Sequence, residues 1–168
     1  TSKTIQGAIN ELSDNFKYKQ FPVLGSRLVV IGDSQTACDT PYIIDISSNR
    51  HASSWTTFLA NASGGKIEII KNVAIGGQTS KQMLDRFNTD VLAFDPDFVI
   101  IAASINDGNL PNKEIDGIAN HIAMINLCRN YRSARRPYGI SVILTTTPPI
   151  GTYELNNATL ADRTLIAK

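Results

Sequence analysis

The chain has 168 residues, 42% of them hydrophobic and 18% charged. That is enough apolar material for one folded domain with a substantial core, and too little charge for a disordered chain. Its 16 basic and 15 acidic side chains leave a net charge of +1, so no global field draws it to nucleic acid or to an anionic membrane surface.

Residues 1–24 differ in character from the rest of the chain and are expected to form an N-terminal stalk or linker, with the main domain over 25–168. Ser2 or Thr4 is placed to cap a short helix in which Ile5, Ala8, Ile9 and Leu12 recur at spacings of three and four. Such a narrow apolar stripe needs a partner. Asn15 to Gly25 reads as an irregular linker containing Phe21-Pro22. The polar start, Thr1-Ser2-Lys3-Thr4, is not a signal peptide. No apolar run approaches the roughly 20 residues of a membrane-spanning helix.

From Arg27 onward, strand-like and helix-like segments alternate. Leu28 to Ile31 is a short β-branched run that stops at Gly32-Asp33-Ser34, a buried strand delivering a serine into a turn. Glycine there is expected to permit the tight turn. Ser53 or Ser54 opens a helix with Trp55, Phe58 and Leu59 on its inner face. Lys66 to Val73 is a second strand, Gly76-Gly77 a tight turn, and Thr79 or Ser80 the cap of a helix presenting Met83, Leu84 and Phe87. After Asp95-Pro96, Phe98 to Ala103 is apolar throughout and is expected to be covered on both faces. A long helix then carries Ile115, Ile118, Ile122 and Ile125 in register. Its end is marked by Arg129, Arg132, Arg135 and Arg136, which are expected to be exposed where cations oppose the helix dipole. Ile140 to Thr146 is a fourth strand, and a last helix runs from about Asn156 or Asn157, with Leu160, Leu165 and Ile166 apolar. Strands joined by helix-length connections imply parallel pairing and right-handed crossovers, hence a three-layer α/β/α sandwich with a flavodoxin-like parallel sheet.

Three loops fall at the carboxyl ends of three strands, where open α/β sheets bind ligands. They are Gly32-Asp33-Ser34, Ala74-Ile75-Gly76-Gly77-Gln78-Thr79 and Ser104-Ile105-Asn106-Asp107. Together they offer what acyl transfer needs: a hydroxyl from Ser34, and an oxyanion hole from the N–H that follows it, the Gly77 N–H and the Asn106 carboxamide. Read structurally, Asp33 and Asp107 cap turns or helices, while Asn72 and Thr79 hold the second loop through side-chain to backbone bonds. Cys38 and Cys128 are too few for a disulfide framework and too far apart for a metal knuckle. Neither a metal nor an organic cofactor is required, and an isolated Gly32 makes no phosphate-binding loop.

A strand ending in Gly-Asp-Ser, then Asn-x-x-x-x-Gly-x-Thr over Asn72 to Thr79, then Asn106-Asp107, resembles the SGNH or GDSL hydrolases over about Arg27 to Lys168. The resemblance implies that Ser34 is the nucleophile and that Gly77 and Asn106 are oxyanion donors. Asp33, Asp107, Asn72 and Thr79 are then supporting residues. Two departures stand out. Ser104 replaces the glycine that usually opens the third block, and the family's Asp-x-x-His block after a fifth strand is absent. Asp162-Arg163-Thr164-Leu165 has leucine where histidine belongs. Of the two histidines, His121 sits on a helix face among isoleucines and reads as structural, while His51, in the long loop after the Gly32-Asp33-Ser34 turn, reads as a solvated loop residue that could approach the strand ends as a base.

The phrase Thr4-Ile5-Gln6-Gly7-Ala8-Ile9-Asn10-Glu11-Leu12 resembles an element of bacteriophage tail-fibre and baseplate proteins that joins a stalk to the next module. Taken together, the two resemblances imply a serine esterase or carbohydrate O-deacetylase acting on acetylated bacterial surface polysaccharide, carried on a virion fibre and trimeric through its stalk. The alternative is a structural or sugar-binding virion module that keeps the fold without turnover. With the last strand missing, the sheet is expected to expose an edge.

Overall fold

The computed structural model describes residues 24–37, 43–45, 50–51, 54–103, 105–109 and 112–145. The expected N-terminal helix and the last helix lie outside these residues, as do Cys38 and Ser104.

The chain enters a central strand, β1 (Ser26–Gly32), buried at six of its seven positions. Next come a one-turn helix α1 (Ser34–Ala37), two short strands β2 (Ile43–Asp45) and β3 (Arg50–His51), helix α2 (Trp55–Ala62) and strand β4 (Ile67–Asn72). Helices α3 (Ser80–Asp85) and α4 (Phe87–Asp90) and a 3₁₀ turn at Leu92–Phe94 lead to β5 (Phe98–Ala102). A second 3₁₀ turn, Asp107–Asn109, precedes the long helix α5 (Lys113–Asn130) and strand β6 (Ser141–Leu144). The sheet runs in the order β4-β1-β5-β6 with every pairing parallel, and β2 and β3 form a separate antiparallel pair that the sequence pattern did not announce.

Strand periodicity divides the core. Val29, Ile31, Val99 and Ile101 pack on one face against Met83, Phe87, Met124 and Cys128 from α3, α4 and α5. Leu28, Val30, Ile69 and Ile100 face the other way, against Trp55, Leu59 and Ala60 of α2. The result is the expected three-layer α/β/α sandwich. Among the described residues no helix is long and apolar enough to cross a membrane.

Several expectations need correction. Phe58 is not on the inner face of α2 but 64% exposed, because Thr56, Thr57 and Ala60 turn inward instead. The helix after Thr79 breaks at Arg86, whose backbone leaves helical geometry, into α3 and α4. On α5 the isoleucine stripe points outward, with Ile115 74%, Ile118 48% and Ile122 52% exposed. The buried face is Gly117, Asn120, Met124 and Cys128, at the same spacing of three and four. Polar chemistry selects that face: Asn120 Nδ2 donates to Ser80 Oγ at 3.0 Å, so its buried amide nitrogen has an acceptor.

The arginine cluster also divides. Arg132 does cap the end of α5, donating to the carbonyls of Arg129 at 2.6 Å and Tyr131 at 2.7 Å. Arg136 is not exposed but buried, donating to Pro96 O at 2.8 Å and pairing with Asp97. Pro96 and Asp97 precede β5, so this guanidinium ties the chain after α5 to the entrance of that strand.

Candidate active site

The Gly32-Asp33-Ser34 turn begins with a glycine required for space. Gly32 permits the tight turn as expected, though by leaving space rather than by a positive φ. A Cβ there would lie 2.7 Å from both Thr36 Cβ and Thr36 Oγ1, and 2.8 Å from Ala102 O. Lacking that Cβ, the strand end lets α1 fold back tightly against β5. Asp33 then caps α1: its carbonyl accepts from the Thr36 and Ala37 N–H groups at 3.0 and 2.8 Å, and its Oδ1 accepts from Gln35 N–H at 3.0 Å. Ser34 follows as the first residue of α1, exposed to solvent.

Asp33 is buried, and burial pushes its carboxyl above the ordinary aspartate value. The Gln35 N–H opposes that shift and the neighbouring Asp107 adds to it. Since the Gln35 N–H is committed to the Asp33 carboxylate, it is not the open oxyanion donor anticipated for the residue after the serine.

The second loop is tied to the first through backbone and side chain. Val73 N donates to Val30 O at 2.8 Å and Ile75 N to Gly32 O at 3.0 Å, extending the β1–β4 pairing past the strand ends. Asn72 is buried; its Nδ2 donates to Thr36 O at 2.9 Å and its Oδ1 accepts from Ala74 N at 3.1 Å. Gly77 has φ +77°, a conformation that favours glycine, and nothing lies within 4 Å of where its Cβ would stand. Thr79 makes a capping box with Gln82 at the start of α3. Both Asn72 and Thr79 thus occupy the loop-holding positions that the structural reading gave them.

The third loop completes the convergence. Asn106 Nδ2 donates to Gln78 O at 3.0 Å. Asp107 is fully buried, and its Oδ1 accepts from Ser80 N–H at 2.6 Å. Ser34, Gly77 and Asn106 therefore stand on three loops that hydrogen bonds lash into one rim at the carboxyl end of the sheet. Beside that rim opens a cleft of about 250 Å³ lined by Asp33, Gln35, Trp55, Ala102, Ile105 and Thr145.

The His121 Nδ1 lies 2.7 Å from Gly117 O, one turn back on its own helix, and so donates there. His51 belongs to β3, with its side chain outside the described set. Among the described residues no group of three or more His, Cys, Asp and Glu side chains is arranged to hold a metal.

Sequence reasoning missed four residues that hold the site: Thr36, Ser80, Gly117 and Asn120. Only Gly117 left a trace, as an isolated glycine inside a helical pattern, which often marks close packing.

Residues 30–166 match the model of the GDSL-like lipase/acylhydrolase family. The chain is 31% identical over 123 residues to the uncharacterized lipoprotein YqeF of Bacillus subtilis (strain 168), an alignment covering 73% of this chain and 49% of that protein. It thus spans about half the length of this curated relative. Two solved structures share the fold at 22% identity. One, from Desulfitobacterium hafniense DCB-2 and of the G-D-S-L family, has a TM-score of 0.62 over 85% of this chain and 68% of its own. The other, the acetylxylan esterase Axe2 of Geobacillus stearothermophilus, has a TM-score of 0.60 over 85% and 68%.

Proposed function

Because this chain belongs to the GDSL-like lipase/acylhydrolase family, we propose that it is a serine ester hydrolase whose reaction is carried by Ser34, Gly77 and Asn106. One observation carries the reading: three loops, each bearing one of these residues, are tied into a single rim by the Ile75-to-Gly32 and Asn106-to-Gln78 hydrogen bonds. In this mechanism Ser34 Oγ attacks the ester carbonyl carbon and gives up its proton to a base. The carbonyl oxygen becomes an oxyanion.

Gly77 N–H donates to that oxyanion from a loop with open space before it. Asn106 has two amide hydrogens on Nδ2; one is held by Gln78 O and the other is left for the oxyanion. The Ser34 N–H supplies the donor within the nucleophile turn, because the first N–H groups of a helix have no carbonyl of that helix to meet. Collapse of the tetrahedral intermediate expels the alcohol, and water then hydrolyses the acyl-serine. The base is not assigned to any described residue.

Fold likeness to an acetylxylan esterase supports an acetylated carbohydrate as substrate. The Thr4 to Leu12 phrase supports a place on a phage tail fibre or baseplate, trimeric through residues 1–24, with host surface polysaccharide as the target. The second reading is a non-catalytic structural or sugar-binding virion module that keeps the fold without turnover.

Hydrolysis of p-nitrophenyl acetate and of acetylated xylan by a chain extended past Lys168 and by its Ser34→Ala variant separates the two. The enzyme reading expects the substitution to lower kcat by at least about 10³-fold. Equal rates overturn it.

A further inference from the structure

Gly117 occupies the buried face of α5, in a helix interior where glycine is less favourable than alanine. An added Cβ would come within 3.1 Å of Asp107 Oδ2 and 3.7 Å of its Cγ. The glycine is therefore the seat of the Asp107 carboxylate. That carboxylate is itself costly: it is fully buried, and its Oδ2 has no hydrogen-bond partner among the described residues. A neutral acceptor would satisfy the Ser80 N–H at smaller cost, but a carboxylate makes a shorter and stronger bond, here 2.6 Å.

The same group of contacts brackets the second loop. Asn106 grips it at the Gln78 carbonyl and the adjacent Asp107 grips it at the Ser80 N–H, two residues on. Asn120 of α5 closes the arrangement by donating to Ser80 Oγ at 3.0 Å. Gly77 immediately precedes the bracketed segment. Any displacement of Asp107 away from α5 must therefore move Ser80, Asn106 or both, and with them the separation between Gly77 N–H and the Asn106 amide.

We infer that Gly117 and Asp107 are positioning residues: the carboxylate seated against the helix glycine sets where the Gly77 to Ser80 loop stands relative to Asn106. The catalytic consequence rests on the proposed esterase activity; the positional claim does not.

The test uses the full chain with Gly117→Ala and Asp107→Asn, followed by proton–nitrogen NMR, amide exchange, thermal unfolding and p-nitrophenyl acetate kinetics. In wild type the Ser80 amide proton is expected far downfield, and Asp107→Asn moves it upfield. Gly117→Ala shifts the Ser80, Gly77 and Asn106 side-chain resonances and raises exchange in the loop, while the Val29 to Ile31 amides of β1 stay protected. In both variants kcat falls at least about 10-fold with KM within about 2-fold, since a small misplacement of oriented groups costs turnover rather than binding. Unchanged loop resonances and exchange in Gly117→Ala overturn the inference, as does a loss of kcat no larger than the loss of folded protein. If Gly117→Ala does not fold, Asp107→Asn decides alone by the Ser80 resonance and the split between kcat and KM. If wild type and Ser34→Ala are equally inactive, the esterase reading fails, and the NMR arms still decide the positional claim.

Discussion

Gly32→Ala is the sharpest test of how the nucleophile turn is built. The added methyl would meet Thr36 Cβ and Oγ1 at 2.7 Å and Ala102 O at 2.8 Å, where non-bonded carbons settle at about 3.5–4.0 Å. Thr36 Cβ and Ala102 O move only with the backbone, and threonine is stiff about χ1. Thr36 is also buried. Overpacking of a core usually costs about 1–3 kcal/mol, and three simultaneous overlaps of this depth place the variant at the upper end. About 3 kcal/mol is roughly a 150-fold change in the folding equilibrium. Urea denaturation followed by circular dichroism measures it, with the slope m expected to stay unchanged. A loss below about 1 kcal/mol would refute the claim that this glycine is demanded by space.

Asp33→Asn keeps a capping acceptor for the Gln35 N–H and removes a carboxyl whose native pKa lies above its ordinary 3.8. The stability held by that carboxyl is complete below 3.8 and is lost as pH rises through the raised native value. Urea midpoints should therefore show the variant at least as stable as wild type at neutral pH, with its advantage shrinking on acidification; an advantage that grows on acidification contradicts the assignment. Arg136→Met leaves the half-buried Asp97 without its guanidinium and removes the bond to Pro96 O, and should cost about 3–5 kcal/mol in the same assay. Cys128 is buried, its thiol pushed up to about 12 by desolvation, so iodoacetamide at pH 8 should leave it unmodified in the folded chain and alkylate it in urea, as peptide mass spectrometry reads. Ile118→Glu, on the exposed flank of α5, should change stability by less than about 0.5 kcal/mol, whereas Met124→Ala on the buried flank should cost about 2–5 kcal/mol.

That last contrast marks where sequence pattern stopped being informative. Three of the sheet strands, β1, β5 and β6, were legible as short apolar runs and β4 by its isoleucines ahead of the Gly76-Gly77 turn, and the bounds of all four shift by only one or two residues. The family blocks were legible because Gly32, Asp33, Ser34, Gly77, Asn106 and Asp107 fall at strand ends in a fixed order. On α5 two stripes at the same helical period compete, one of isoleucines and one of Gly117, Asn120, Met124 and Cys128. Hydrophobicity favours the first; the structure buries the second, because Asp107 needs a seat and Ser80 Oγ needs a donor. Periodicity carries no signal for such long-range polar demands. The role of Arg136 was hidden for the same reason: its partners, Pro96 and Asp97, lie about forty residues away in the chain.

Burial separates the motif residues into two kinds. Ser34 and Gly77 are exposed and Asn106 is half-buried, an exposure that the proposed reaction requires of them. Asp33, Asn72 and Asp107 are buried and polar, a placement that costs free energy unless each is paired. Each makes a hydrogen bond, Asp33 to Gln35 N–H within the first loop, Asn72 to Thr36 O between the second strand end and the first, and Asp107 through Oδ1 to Ser80 N–H between the third and the second, although Asp107 Oδ2 has no partner among the described residues. The rim is thus held together by polar bonds aimed at backbone, which fix direction as well as distance in a way that apolar packing does not. A chain that needed only to fold could fill these three positions with apolar side chains. Keeping two carboxylates and an amide beneath an exposed serine makes sense when the loops above them must hold donors at set positions.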